Sequence, residues 1–211
     1  MNVPNALLGG LARQLGHPRG LPGRLVSVML DKRNRAAIAA AVAALDLHRG
    51  ETAADVGFGG GLSLDLLLDH VGADGTVHGV DVSALVLARA ARRFRSAIST
   101  GRLYLHDAPM ARLPLADASV NAVMTLNTIY FVTDLDRAFA ELRRVLGASG
   151  RAAVGLGDPA GMAADPLTAR GFTVRPVDEV VEAMRAAGLE VSGHRRVGDG
   201  DDAFHLLIGG T

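Results

Sequence analysis

From residue 52 onward, short apolar runs alternate with longer stretches whose apolar residues recur every three or four positions. Thr52–Val56, Thr76–Val82, Arg102–Leu105, Val120–Leu126 and Arg151–Leu156 read as strands. Between them Leu62–Val71 reads as a helix. Ser83 caps a second helix with Leu87, Ala90, Ala91, Phe94 and Ile98 on one face. Thr133 caps a third, with Leu135, Ala138, Phe139, Leu142, Val145 and Leu146. A helix from Asp31 through Ile38, Val42 and Leu45 precedes them and closes at Arg49-Gly50. Residues 158–175 read as a loop with room for a helical turn, and Val177, Val180, Val181 and Met184 mark another helix. Leu189–Val197 and Ala203–Ile208 form a hairpin around Gly198-Asp199-Gly200-Asp201. Repeated strand–helix units predict an α/β, doubly wound sheet, mostly parallel and covered on both faces. The final hairpin adds one antiparallel strand.

Residues 1–30 break this pattern. Gly9, Gly10, Gly16, Pro18, Gly20, Pro22 and Gly23 leave only short helical pieces around Leu7–Leu15 and Leu25–Leu30. This segment reads as an N-terminal helical lid on a domain of residues 31–211.

Composition narrows the chemistry. A chain of 211 residues, 49% hydrophobic, fits one well-buried domain. Lys+Arg and Asp+Glu both number 22, so no net field draws it to nucleic acid or an acidic membrane. Lys32 is the only lysine, and Ala and Gly are abundant, a compositional mark of GC-rich bacterial coding. The absence of cysteine excludes disulfides, Cys-ligated zinc, iron–sulfur clusters and a thiol nucleophile. No signal-peptide pattern and no run of about 20 apolar residues is present, so the expected location is the cytoplasm.

The strongest chemical signal is Asp55-Val56-Gly57-Phe58-Gly59-Gly60-Gly61, between a strand and a helix. Residues without a β-carbon allow a tight turn and a close backbone approach to a nucleoside at a helix N-terminus. A plain tight turn is the alternative. Asp81 then ends the second strand, where nucleotide-binding α/β folds place a carboxylate on the ribose hydroxyls. A carboxylate is a pure acceptor and a ribose diol offers two donors; a simple turn aspartate is the competing reading. A third acid follows the next strand in His106-Asp107-Ala108, and suits an adenine edge.

The order acid-x-Gly-x-Gly-x-Gly, strand-end Asp81, Asp107-Ala108 and Leu113-Pro114-Leu115 resembles the small class I S-adenosylmethionine-dependent methyltransferases, the type 11 or ubiquinone-biosynthesis-like group. Asn127-Thr128-Ile129-Tyr130-Phe131 and Arg143-Arg144-Val145-Leu146 are similar to that group too, and the resemblance spans about residues 31–197. It implies a Rossmann-like seven-stranded sheet with one antiparallel strand. It implies that Asp55, Gly57, Phe58, Gly59 and Gly61 hold the methionine and ribose end of S-adenosylmethionine. Asp81 would take the ribose diol, Val82 the adenine face, Asp107 and Ala108 the adenine edge, and Asn127 the underside of the sulfonium. The product would be S-adenosylhomocysteine, and no metal is implied. Without cysteine, radical S-adenosylmethionine chemistry and cysteine-dependent arsenite methylation are closed.

The acceptor side is read from fewer residues. Tyr130 and Phe131 are expected to wall a pocket for a small molecule, such as a secondary metabolite or a quinone-like acceptor, with the methylated atom open. His17, in the lid, and Tyr130 are the candidate bases and acceptor contacts. Tyr104 and Tyr130 lack a lysine four residues on, against a short-chain dehydrogenase, and no Gly-Lys pair supports a P-loop. Arg89, Arg92, Arg93 and Arg95 read as a solvated helix face. Neither nucleic acid nor membrane is an expected partner; the chain is expected as a monomer or homodimer. A cyclase or decarboxylase, or a cofactor-binding partner protein, would reuse the same fold.

Overall fold

Strand β1, Thr52–Val56, is buried from its second residue on, and its side chains divide between two cores. Ala53 faces one and Ala54 and Val56 face the other, as period-two alternation requires when both sides of a sheet are covered. The computed structural model describes residues 34–164, 168, 172–200 and 203–211. The first core packs helix α1 (34–44), through Ala41 and Val42, with α2 (Leu62–Val71) and α3 (Ala84–Arg93). The second packs α5 (Leu135–Val145), through Ala138, Phe139, Leu142 and Val145, with Val180 and Met184 of α7 (Val177–Ala186). Short helices α4 (Arg95–Ser99) and α6 (Pro159–Ala164) sit in connections.

The remaining strands are β2 (Thr76–Asp81), β3 (Leu103–Asp107), β4 (Val120–Leu126), β5 (Leu146–Gly157), β6 (Glu190–Val197) and β7 (Phe204–Gly210). They form one seven-stranded sheet in the order β3-β2-β1-β4-β5-β7-β6. Every neighbouring pair is parallel except those of β7, which runs antiparallel to both β5 and β6. This is the Rossmann-like sheet expected from the sequence. The order reverses direction between β1 and β4, and the carboxyl ends of strands at such a switch point form a crevice.

Three local expectations are corrected. The helix from Ser83 stops at Arg93, where Phe94 leaves helical geometry (φ −101°, ψ 25°) and buries its ring, and α4 resumes at Arg95. Asp134, not Thr133, caps α5: its carboxylate accepts the Arg137 N–H at 2.9 Å. Strand β5 starts at Leu146 rather than Arg151, its first residue pairing with Val120 before a register shift. The 108–119 connection between β3 and β4 carries no helix and is tied down by Arg144, which donates to the carbonyls of Leu113 (3.0 Å) and Leu115 (2.8 Å). The lid, its boundary near residue 30 and His17 lie outside the described residues.

Candidate active site

At the carboxyl end of β1 the chain enters the glycine turn through Gly57 (φ 80°), whose N–H donates to the Val80 carbonyl at 2.7 Å. A β-carbon at Gly57 would overlap the Thr128 side chain. At Gly59 (φ 53°) a β-carbon would meet nothing nearer than the Gly57 carbonyl oxygen, 4.0 Å away. The two glycines therefore face opposite things, one the protein and the other open space. Phe58 divides between the core and the turn. Its side chain is buried in the first core against Gly79 and Leu64, and only its backbone lines the turn, accepting the Gly61 N–H at 3.0 Å.

Asp81 organises the far side of the crevice. Its Oδ2 accepts the Gly59 N–H at 3.2 Å and its Oδ1 the Ser83 N–H at 2.8 Å. One carboxylate thus joins the end of β2, the glycine turn and the start of α3. Asp107 sits in register with Asp81 on β3 and is exposed, whereas Ala108 is buried and its N–H points to the Asp81 carbonyl at 3.4 Å. Val82 is 45% exposed, a large apolar side chain left bare beside Asp81. Asp55 is 2% exposed beneath the turn. Asn127 follows β4 in left-handed geometry (φ 59°), with its N–H on the Gly155 carbonyl at 2.9 Å.

These are the residues the sequence placed together, on β1, β2, β3 and β4. The structure adds two threonines. The Thr125 hydroxyl donates to the Val56 carbonyl at 2.8 Å, and the Thr128 hydroxyl lies 3.2 Å from the same oxygen. They brace the last peptide of β1, Thr125 from β4 and Thr128 from just beyond its end. Nothing in the sequence signals a contact across about seventy residues by two threonine hydroxyls.

On the β4–β5 side an aromatic wall forms. Tyr130 is 3% exposed in a single-turn helix, Ile129–Phe131, and its Oη accepts the Gly157 N–H at 2.6 Å. Phe172 packs on it (centroids 5.7 Å) and on Phe131 (4.7 Å), while Met162 joins the same core. Burial pushes the Tyr130 phenol well above its ordinary value, outweighing the Gly157 hydrogen bond. The phenol is thus protonated at neutral pH and stands as a buried strut between the Ile129–Phe131 turn and the end of β5.

Two histidine pairs lie outside the crevice. His78 Nδ1 and His106 Nε2 are 3.0 Å apart across β2 and β3, with Tyr104 stacked on His78. Burial, with the neighbouring His106, lowers His78 to about 4, and burial lowers His106 too, so the pair is neutral at pH 7. His205 bridges Asp158 (3.1 Å) and His194 (2.8 Å) where the carboxyl end of β5 meets the amino end of β7.

A family model described as "Methyltransferase domain" matches residues 54–154. The chain is 30% identical over 148 residues to an arsenite methyltransferase of Halobacterium salinarum, covering 67% of this chain and 40% of the relative. It is 30% identical over 155 residues to the 27-O-demethylrifamycin SV methyltransferase of Amycolatopsis mediterranei, covering 69% and 56%. The chain thus spans about half the length of these curated relatives. Among solved structures, an S-adenosylmethionine-dependent methyltransferase from Aquifex aeolicus superposes with a TM-score of 0.73 at 20% identity, covering 88% of this chain and 97% of that one.

Proposed function

The chain belongs to the class I S-adenosylmethionine-dependent methyltransferases, and from that premise we propose that it moves a methyl group from S-adenosylmethionine to a small molecule. The observation that carries this reading is Asp81: a carboxylate already anchored to the glycine turn, beside bare Val82 and in register with exposed Asp107. That set offers an acceptor for a ribose diol, an apolar face for a purine and a second acid for its edge. The open space at Gly59 gives the nucleoside a backbone to lie against. The cofactor supplies a methyl group already activated on a sulfonium.

The protein's part is orientation and exclusion of water. A methyl displacement needs nucleophile, carbon and sulfur in line, and holding them so is worth on the order of several kcal/mol. Asp55, Gly57, Gly59, Gly61 and Asn127 position the donor, Asp81, Val82, Asp107 and Ala108 the nucleoside. Tyr130, Phe131, Phe172 and Met162 make a wall suited to a flat, apolar acceptor. A secondary metabolite or quinone-like compound fits that wall, the role we assign with residues 1–30 closing over it. With no thiolate to hold arsenic, arsenite is not the acceptor we propose. His17 is the proposed base, Tyr130 the proposed acceptor contact.

Calorimetry with S-adenosylmethionine and S-adenosylhomocysteine tests the donor side; both should bind one per chain. Incubation with methyl-labelled cofactor and a metabolite extract, read by mass spectrometry, should place label on a small molecule. Absence of binding by either ligand would overturn the reading.

A further inference from the structure

We propose that Arg93 is a positioning residue for the cofactor, holding the glycine turn through the carbonyl of Gly60. The inference rests on the methyltransferase reading above and assigns a role to a side chain whose sequence context marks it only as part of a solvated face.

The geometry begins with the course of α3. The helix starts at Ser83, immediately after Asp81 and Val82, and its last residue returns to the turn between β1 and α2. At its start, Asp81 grips the N–H of Gly59. At its end, the Arg93 Nη1 donates to the Gly60 carbonyl at 3.1 Å and the Nη2 pairs with the Asp65 carboxylate in the first turn of α2. The guanidinium lies over the Phe94 ring, 5.0 Å from its centroid, and that ring lies 3.2 Å from where a β-carbon on Gly61 would stand. Three consecutive glycines are therefore each fixed by α3 or its flanks: Gly59 through its N–H, Gly60 through its C=O, Gly61 through its open face. Glycine is the residue with the most backbone freedom to lose, so a turn of three needs outside restraint to keep one shape before ligand arrives. Arg93 supplies it with a planar fork that satisfies a carbonyl and a carboxylate together, which a lysine ammonium does less well.

Charge alone predicts something different. S-adenosylmethionine carries one more positive charge than S-adenosylhomocysteine. Removing Arg93 leaves the Asp65 carboxylate without its cation and, by charge, favours the sulfonium ligand over the thioether. A positioning role weakens both ligands by the same factor.

The test is calorimetry of the full chain with each ligand. Arg93→Ala should weaken S-adenosylmethionine and S-adenosylhomocysteine equally, about tenfold. Arg93→Lys should recover part of that loss for both. Arg92→Ala, one residue away on the same helix, should bind like the parent. If Arg93→Ala does not fold, Arg93→Lys carries the same criterion of equal weakening. Affinities within twofold of the parent in the folded Arg93 variants, or a change confined to one ligand, overturn the proposal. Failure of the parent chain to bind either ligand overturns the methyltransferase reading instead, and does so before any variant is made.

Discussion

At Gly57 and Gly59 two residues of one type, two apart, hold the turn for different reasons, and substitution should separate them. A methyl at Gly57 would run into Thr128, and its left-handed backbone (φ 80°) disfavours a side chain, by roughly 1–2 kcal/mol. Gly57→Ala should therefore lower the thermal midpoint markedly, and adding Thr128→Ala should restore part of it. Gly59→Ala meets no protein atom within ordinary contact. Its left-handed backbone (φ 53°) carries the same cost of roughly 1–2 kcal/mol without the overlap, so it should destabilise less than Gly57→Ala yet abolish S-adenosylmethionine binding, because its methyl would fill the space we assign to the nucleoside. A Gly59→Ala chain that binds normally would show that the turn is only structural. Asp81→Ala removes the carboxylate we assign to the ribose and the anchor of the Gly59 N–H. Hydrogen bonds to charged groups are worth about 1.5–3 kcal/mol, so calorimetry should show affinity falling about ten- to a hundredfold. The position of Asp81 at the end of β2 was legible because an apolar run closing on an acid marks a strand end. Thr125 and Thr128 were not, because a threonine in a strand or just past its end is ordinary and the shared partner, the Val56 carbonyl, is far away in the chain.

Element by element, the sequence is most readable where apolar spacing is regular. The stripe on α5 runs Leu135, Ala138, Phe139, Leu142 and Val145, and all five are buried. Its start was misplaced by one residue because Thr133 and Asp134 are both good caps, and only backbone geometry decides between them. The break at Phe94 has no Pro or Gly to mark it. The ring's burial beside Gly61 is a tertiary event that local pattern does not record. The end of α5 carries a testable consequence. Arg144 pairs with Glu141 and Asp117 while holding two carbonyls of the 108–119 connection, and Glu141 in turn accepts the Leu113 N–H at 2.7 Å. Arg144→Ala should cost on the order of 2–3 kcal/mol in urea unfolding at pH 7. The Arg144 hydrogen bond, helped by Leu113, holds the Glu141 carboxyl below its ordinary 4.5 in the folded chain. A depressed carboxylate stabilises above its unfolded value and loses that contribution as pH falls through the folded one. The gap between parent and Arg144→Ala should thus be full at pH 7 and shrink below about 4.5; a gap that is flat down to pH 3 would remove the ion pair from the explanation.

For the whole molecule, the division of labour follows the sheet. The acids that suit the donor end β2 and β3 or lie buried on β1, whereas the aromatic wall stands at β4 and β5. Alternating strands and helices announce a doubly wound sheet, but the order β3-β2-β1-β4 is not in the periodicity. Phe172 was invisible for a related reason: it lies on a connection with no period, and only the fold brings it to Phe131. Among the described residues both cores are built from positions 40–208, and the acids we assign to the donor lie within 55–107. Deleting residues 1–22 should therefore leave a folded chain that binds S-adenosylmethionine within a few-fold of the parent. The same deletion removes His17 and the segment we assign to the acceptor side, where closure would exclude water and complete the pocket. Label transfer from methyl-labelled cofactor to a metabolite extract should then be lost while calorimetry stays nearly unchanged. His17→Ala should give a milder loss. A truncated chain that transfers label at the parent rate removes both the lid and His17 from the mechanism. A truncated chain that cannot fold makes residues 1–22 part of the core and moves the domain boundary from near residue 30 to before residue 23.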